Sequence, residues 1–154
     1  MTKAEIEAAL NRALDKLVER DMHLLDVNAS ERSMSHRLAV YLADESSGYS
    51  VDCEYNRDGF NAKELRLDAP EPKVSPYEIE AVTVFPDIIV HRRGTNDHNL
   101  LVVEIKKASS SRNSDFDRQK LRAFCEELRY TWAAHVIIGQ KRNGEVVRCV
   151  EWIN

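Results

Sequence analysis

Two short apolar stretches carry charges that an ordinary buried strand excludes. Phe85-Pro86-Asp87-Ile88-Ile89-Val90 and Leu100-Leu101-Val102-Val103-Glu104-Ile105-Lys106 are near-continuous hydrophobic runs, of the kind that fill a sheet covered on both faces. Taking an unpaired charge out of water costs several kcal/mol, so Asp87, Glu104 and Lys106 must be paired, bound to a cation or set at an edge. A chain built on these two segments has to fold around a polar spot.

The spacing locates that spot. Gly94-Thr95-Asn96-Asp97-His98 is a polar connection between the two runs. If it closes an antiparallel hairpin centred between Thr95 and Asn96, positions summing to 191 face each other, and Asp87 faces Glu104. Opposed like charges destabilise a sheet, and a divalent cation between them would remove the repulsion. Lys106, two residues beyond Glu104, projects from the same face.

The rest of the chain supplies the layers for such a sheet. Ile6, Ala9, Leu10, Ala13, Leu14, Leu17 and Val18 recur at helical spacing, which predicts a first helix. A second is expected from about Ser30 to Ala43, with Met34, Leu38, Tyr41 and Leu42 as its apolar positions and an Asn28/Glu31 capping box at its start. Tyr49 to Asn56 alternates Val51, Cys53 and Tyr55 with polar residues, a strand with one wet face. Arg57-Asp58-Gly59 signals a turn, a short strand or loop runs on to Asp68, and the proline-rich Ala69 to Pro76 reads as a surface connection. Strands are expected over Val82 to Arg92 and Asn99 to Lys107, then a Ser-rich loop from Ser109 to Asn113. A third main helix follows from near Asp115, capped by Ser114 with Asp117 at its third position, to about Thr131. Its apolar stripe is Phe116, Leu121, Phe124, Cys125, Leu128 and Trp132. His135 to Gln140 and Val146 to Trp152 close the chain as a hairpin through Lys141-Arg142-Asn143-Gly144. Helices, strands, a helix and strands again imply an α/β or α+β sheet with helices packed on it, in one domain spanning 1–154: N-terminal helices over 1–45, then the sheet and its helix over 48–154.

Charge and cysteine content narrow the setting. The net charge of −4 argues against indiscriminate coating of nucleic acid. It is unevenly spread, however: residues 1–90 carry −8, residues 91–142 carry +5, and residues 143–154 carry −1. The basic segment suits a polyanion; its Arg92, Arg93, Lys107 and Arg112 are the expected phosphate contacts, with His91 and Lys141-Arg142 as further candidates. The three cysteines, Cys53, Cys125 and Cys149, are far apart and form neither a disulfide framework nor a zinc pattern, which points to a reducing, cytoplasmic setting. No apolar run approaches the roughly 18–20 residues of a membrane helix, and the N-terminus lacks a signal-peptide layout.

Pro86-Asp87, followed by Glu104-Ile105-Lys106 on the next strand, resembles the PD-(D/E)xK motif of the restriction-endonuclease-like nuclease superfamily. The likeness covers most of residues 28–140: a helix with a glutamate (Glu31), a strand, the Asp strand, the ExK strand and a helix. It implies a restriction-endonuclease-like α/β core, a central mixed β-sheet flanked by helices, and Mg²⁺- or Mn²⁺-dependent hydrolysis of DNA. By that resemblance Asp87, Glu104, the Ile105 carbonyl and Glu31 would hold the metal, a hard cation that prefers oxygen ligands. Lys106 would meet the attacking water or the phosphate, and Gln119 or Lys120 would supply the further residue that related nucleases place on the following helix. Lys120 shares a helical stripe with Phe116 and Phe124.

Plainer readings stand beside these. The capping box accounts for Glu31 as well as catalysis does, and Glu104 with Lys106 is also a pattern for an exposed sheet face. Gln119 and Lys120 fit an ordinary helix surface, and Asp52 with Glu54 fits a solvated one. Among the histidines His36, near Glu31, is the one of interest; Trp132 and Trp152 read as core or rim aromatics. The functional alternatives are a nuclease-fold binding or assembly module that works with a partner, and a Holliday-junction-resolvase-like homodimer. The acidity of the chain favours specificity supplied by a partner protein or a second copy.

Overall fold

The computed structural model describes residues 1–58, 61–62, 64–67, 80–83 and 85–153. Its elements are α1 (Lys3–Arg20), α2 (Met22–Asp26), α3 (Glu31–Glu45), β1 (Ser50–Cys53), β2 (Arg57–Asp58), β3 (Asn61–Ala62), β4 (Glu64–Leu67), β5 (Glu80–Thr83), β6 (Ile88–His91), β7 (Leu101–Lys107), α4 (Asp115–Leu128), β8 (Trp132–Gln140) and β9 (Val146–Ile153). A five-stranded sheet runs in the order β1-β6-β7-β8-β9, with two small ladders, β2-β3 and β4-β5, beside it. Every neighbouring pair in the large sheet is antiparallel except β7 and β8. A parallel pair needs a crossover connection, and α4 supplies it. The expected mixed α/β architecture is present, and no described helix is long and apolar enough to cross a membrane. The Gly59 turn and the proline-rich connection lie outside the described residues.

Helices cover both faces. On one, Ile6, Leu10, Leu14 and Leu17 of α1 and Leu38 and Leu42 of α3 are fully buried with Ile88, Val90, Leu101, Val103 and Val136. On the other, Leu121 and Phe124 of α4 pack on Ile89, Val102 and Ala133. Each such side chain contributes roughly 1.5–3 kcal/mol of transfer free energy. Residues alternate along each strand, so Leu101, Val103 and Ile105 turn to α1 and α3, whereas Val102, Glu104 and Lys106 turn to α4.

Several local boundaries differ from expectation. Asn28 does not cap α3: it takes a left-handed φ of 49°, which asparagine tolerates, and its Oδ1 accepts from Ser109 Oγ (3.0 Å). Ser30 is the cap, its hydroxyl accepting from Ser33 N (3.2 Å), which leaves the Glu31 carboxylate free to reach elsewhere. The strand over 49–56 shortens to β1 because Glu54 also has φ 49°. The run over 82–92 is broken before Asp87: β5 pairs with β4, and β6 begins two residues after Pro86, which has no N–H for a ladder. The last helix stops at Leu128, where Arg129 turns left-handed (φ 57°). Trp132 therefore opens β8 rather than ending a helical stripe, and Phe116 is exposed at 39%. Ser114 is the cap position of α4, but its side chain makes no capping bond; Asn113 Oδ1 accepts from Asp115 N instead (3.0 Å).

Candidate active site

The β6–β7 hairpin has the predicted register. Ile88 pairs with Val103, Ile89 with Val102 and Val90 with Leu101, each summing to 191, so the ladder ends at the Asp87/Glu104 position. Asp87 lies just before β6, and its Oδ2 accepts from Ile105 N at 2.7 Å. That bond ties the acid to the next strand. It only partly offsets the loss of water, and burial raises the Asp87 pKa above the usual carboxylate value, with Glu31 and Asp117 pushing it further and Lys120 opposing.

Glu104 is the more strained of the two. It is buried on the α4 side of β7, and burial, reinforced by Asp87, pushes its pKa from 4.5 up to about 8 against the pull of Lys120. Lys120 reaches down from α4 and places Nζ 2.9 Å from Glu104 Oε1. This buried ion pair pulls the Glu104 carboxyl back toward ionisation. Lys120 also donates to Phe85 O (2.8 Å), and Glu104 Oε1 has no donor besides this ammonium.

Lys106 projects from the same strand face as Glu104 but turns to the first turn of α4. Its Nζ is 2.6 Å from Asp117 Oδ2 and 3.3 Å from Asn113 O. Asp117, whose burial acts to raise its pKa, is nevertheless held below the usual carboxylate value by His135 and Lys106. His135 sits in register with Glu104 on one side and Glu151 on the other. Its ring is fully buried with no hydrogen bond to either nitrogen; Asp117 Oδ2 is 3.7 Å from Nε2 and Glu151 Oε2 is 3.9 Å from Nδ1.

Glu31 comes from the opposite layer. At the first position of α3 its Oε1 accepts from Lys107 N at 2.9 Å, so the helix glutamate closes over the end of β7. Its charge is felt at Asp87. A cleft of about 540 Å³ opens beside it, lined among others by Lys107 and Arg112. Asp87, Glu104, Lys106, Lys120, Ile105 and Glu31 thus converge from β6, β7, α4 and α3, and Lys107 and Arg112 lie at the rim. Of the two helix candidates, Lys120 and not Gln119 is the side chain set against Glu104.

Other expected contributors fall elsewhere. Arg92 and Arg93 follow the far end of β6, which runs antiparallel to β7, roughly 16–20 Å along the strand direction from Asp87 at about 3.3 Å per residue. Arg93 is paired with Asp52, which also holds His91 Nε2 at 2.9 Å. Arg92 donates to Gly48 O (3.3 Å) and lies over the Tyr49 ring. Asp52 is thus used at that end of the sheet, and Glu54 is paired with Arg32 (2.7 Å); neither joins the acidic site. His36 lines a separate groove with Asp21 and Arg37. Trp132 and Trp152 pack against the α1–α3 core.

The sequence reading passed over Asp117 and His135 as parts of the site. His135 carried the same signal as Asp87, a polar residue inside an apolar strand (Trp132-Ala133-Ala134-His135-Val136-Ile137-Ile138). Asp117 stands three residues before Lys120, on the sheet-facing side of α4.

For a divalent cation the donor chemistry fits in part. Asp87 and Glu104 are hard oxygen donors beside other carboxylates, the first half-buried and the second buried, and Glu104 Oε1 is met by Lys120 alone. Added positive charge is what such a pair requires, and Lys120 supplies it here. Among the described residues, however, no three or more His, Cys, Asp or Glu side chains are grouped closely enough to hold a metal ion. Glu31 is spent on the Lys107 amide, so a third protein ligand requires a change of partner. No family model, curated protein or solved structure matches the chain.

Proposed function

We propose that the chain is a metal-dependent phosphodiesterase of the PD-(D/E)xK type that hydrolyses DNA with Mg²⁺ or Mn²⁺, on a restriction-endonuclease-like core. The observation that carries this reading is Asp87, tied to the Ile105 amide, beside a buried Glu104 whose charge it feels, with two lysine ammoniums on the same face of the sheet. Perturbed carboxylates of this kind cluster at functional sites.

Asp87 and Glu104 would hold the cation, with the Ile105 carbonyl and Glu31 beside them. The bound ion would offset charge on the scissile phosphate and lower the pKa of the attacking water. Lys106 is the cation that would meet the phosphate; its flexible stem gives it reach, and leaving Asp117 is the step that frees it. In the unloaded site the proton held by Glu104 and the ammonium of Lys120 together keep two neighbouring carboxyl groups tolerable in the fold.

A second reading, a nuclease-fold binding module that acts with a partner, is favoured by one observation. Both lysines are already committed to carboxylates of the same chain. Hydrolysis separates the two. Purified protein with Mn²⁺ is expected to cleave DNA, EDTA to stop it, and Lys106→Ala to lower the rate by about 10²–10³-fold, the usual size for loss of one positioned charge. Equal behaviour of wild type and Lys106→Ala over a range of substrates would leave only the module.

A further inference from the structure

The cleft beside Glu31 does not end there. Its lining includes Asn28 and Ser109, and the same two residues line a second cleft of about 340 Å³ that reaches the β8–β9 hairpin. The two are joined structurally as well, since Ser109 Oγ donates to Asn28 Oδ1 and Ala108 N donates to Ile138 O (2.9 Å). Gly139 lets the hairpin approach closely: a Cβ there would stand 2.9 Å from the Cβ of Ala108.

The two adjoining clefts, bordered in common by Asn28 and Ser109, follow one another from Glu31 along the carboxyl ends of the parallel strands β7 and β8, the end where open α/β sheets bind ligands. Four cations line them from three separate stretches of sequence: Lys107, Arg112, Lys141 and Arg142, against the acids Asp26 and Glu31. Lys141 is paired with Glu145 (2.9 Å). Arg112 and Arg142 are exposed, and neither forms an ion pair among the described residues. Unpaired guanidiniums on a polar, serine-rich wall suit phosphate oxygens, which they bind through two parallel N–H bonds.

We propose that this groove is the track for a nucleic-acid backbone, carrying the strand from the candidate active site past Arg112 to Arg142 on the β8–β9 hairpin. The proposal rests on the nuclease reading of the site, and it replaces the far-side Arg92 and Arg93 with the hairpin as the second point of contact.

The test is binding without metal, by fluorescence anisotropy of a labelled single-stranded DNA of about 12 nucleotides in EDTA over a range of salt. The Arg112→Ala/Arg142→Ala double variant is expected to bind at least tenfold more weakly at low salt. Its slope of log affinity against log salt should fall by about 1–2, because each lost phosphate contact on a single strand removes roughly 0.7. Both residues are exposed, so folding is not at issue, and Arg92→Ala is expected to bind like wild type. Unchanged affinity in the double variant, an equal loss in Arg92→Ala, or no binding by wild type would each overturn the groove. Binding that depends on Arg112 and Arg142 in a protein that never hydrolyses DNA would uphold the groove and remove the nuclease. Hydrolysis with unchanged binding in the double variant would do the reverse.

Discussion

Glu104→Gln is expected to abolish metal-dependent hydrolysis, with a loss of at least about a thousandfold, and at the same time to make the protein more stable at alkaline pH. The two effects share one cause. The Glu104 pKa stands at about 8 in the fold against an ordinary 4.5. Between those values the unfolded chain has released a proton that the folded chain still holds, so stability falls as pH rises from about 4.5 until it levels off above about 8. Glutamine cannot ionise and escapes this loss. The gain over wild type should be small near pH 5 and largest above pH 8, up to about 5 kcal/mol at about 1.4 kcal/mol per pK unit. For a domain of this size that is up to about 10–20 °C in Tm. Thermal melts at pH 5 and pH 9 measure it. A Tm difference that does not grow with pH would mean that Glu104 is not held protonated by its surroundings.

Lys120 is expected to show the converse. Its ammonium is 2.9 Å from a carboxylate oxygen that has no other donor, so Lys120→Met, which keeps the volume and removes the charge, leaves Glu104 without its countercharge. Breaking a buried pair from one side costs up to about 3–5 kcal/mol. Both partners here are mostly but not wholly enclosed, with side chains 13% and 7% exposed, and because Glu104 ionises only as pH rises through about 8, a cost of about 2–3 kcal/mol is expected near pH 10. The sign with pH follows from the carboxylate. At pH 5 Glu104 is protonated and has little need of Lys120, so most of the penalty should vanish there. Denaturant titrations at the two pH values check this. An equal cost at both would show that Lys120 acts through packing alone. Glu104→Gln/Lys120→Met should cost less than the separate effects combined, since each single change removes the same interaction.

Much of this was readable from the chain because it rests on strand periodicity. The register that sets Asp87 opposite Glu104 came from the centre of one polar connection, and the ladder from Ile88/Val103 to Val90/Leu101 follows it. The α1 positions were legible for the same reason: Ile6 through Leu17 lie on one face of a helix. What the sequence hid depends on direction in three dimensions. The turn of Lys106 toward Asp117, rather than toward Asp87, is decided by where α4 lands on the sheet. The placement of Arg92 and Arg93 follows from the antiparallel run of β6, which carries its carboxyl end away from the site. Glu31 looked like half of a capping box because Asn28 and Glu31 have the right spacing. The left-handed turn at Asn28 moved the cap to Ser30 and sent Glu31 to β7. His135 was hidden by its apolar neighbours, and its meaning appears only in register with Glu104 and Glu151.

Isothermal titration of the protein with Mn²⁺ tests most directly whether Asp87 and Glu104 together bind a divalent cation. Run at pH 7 in buffers of different ionisation heat, the titration should show one site that releases close to one proton per ion, because Glu104 must lose its proton to act as a ligand. The release should fade above about pH 9, and apparent affinity should rise with pH up to about 8. Asp87→Asn should abolish the binding. No Mn²⁺ binding by wild type, or binding that survives unchanged in Asp87→Asn, would contradict the account.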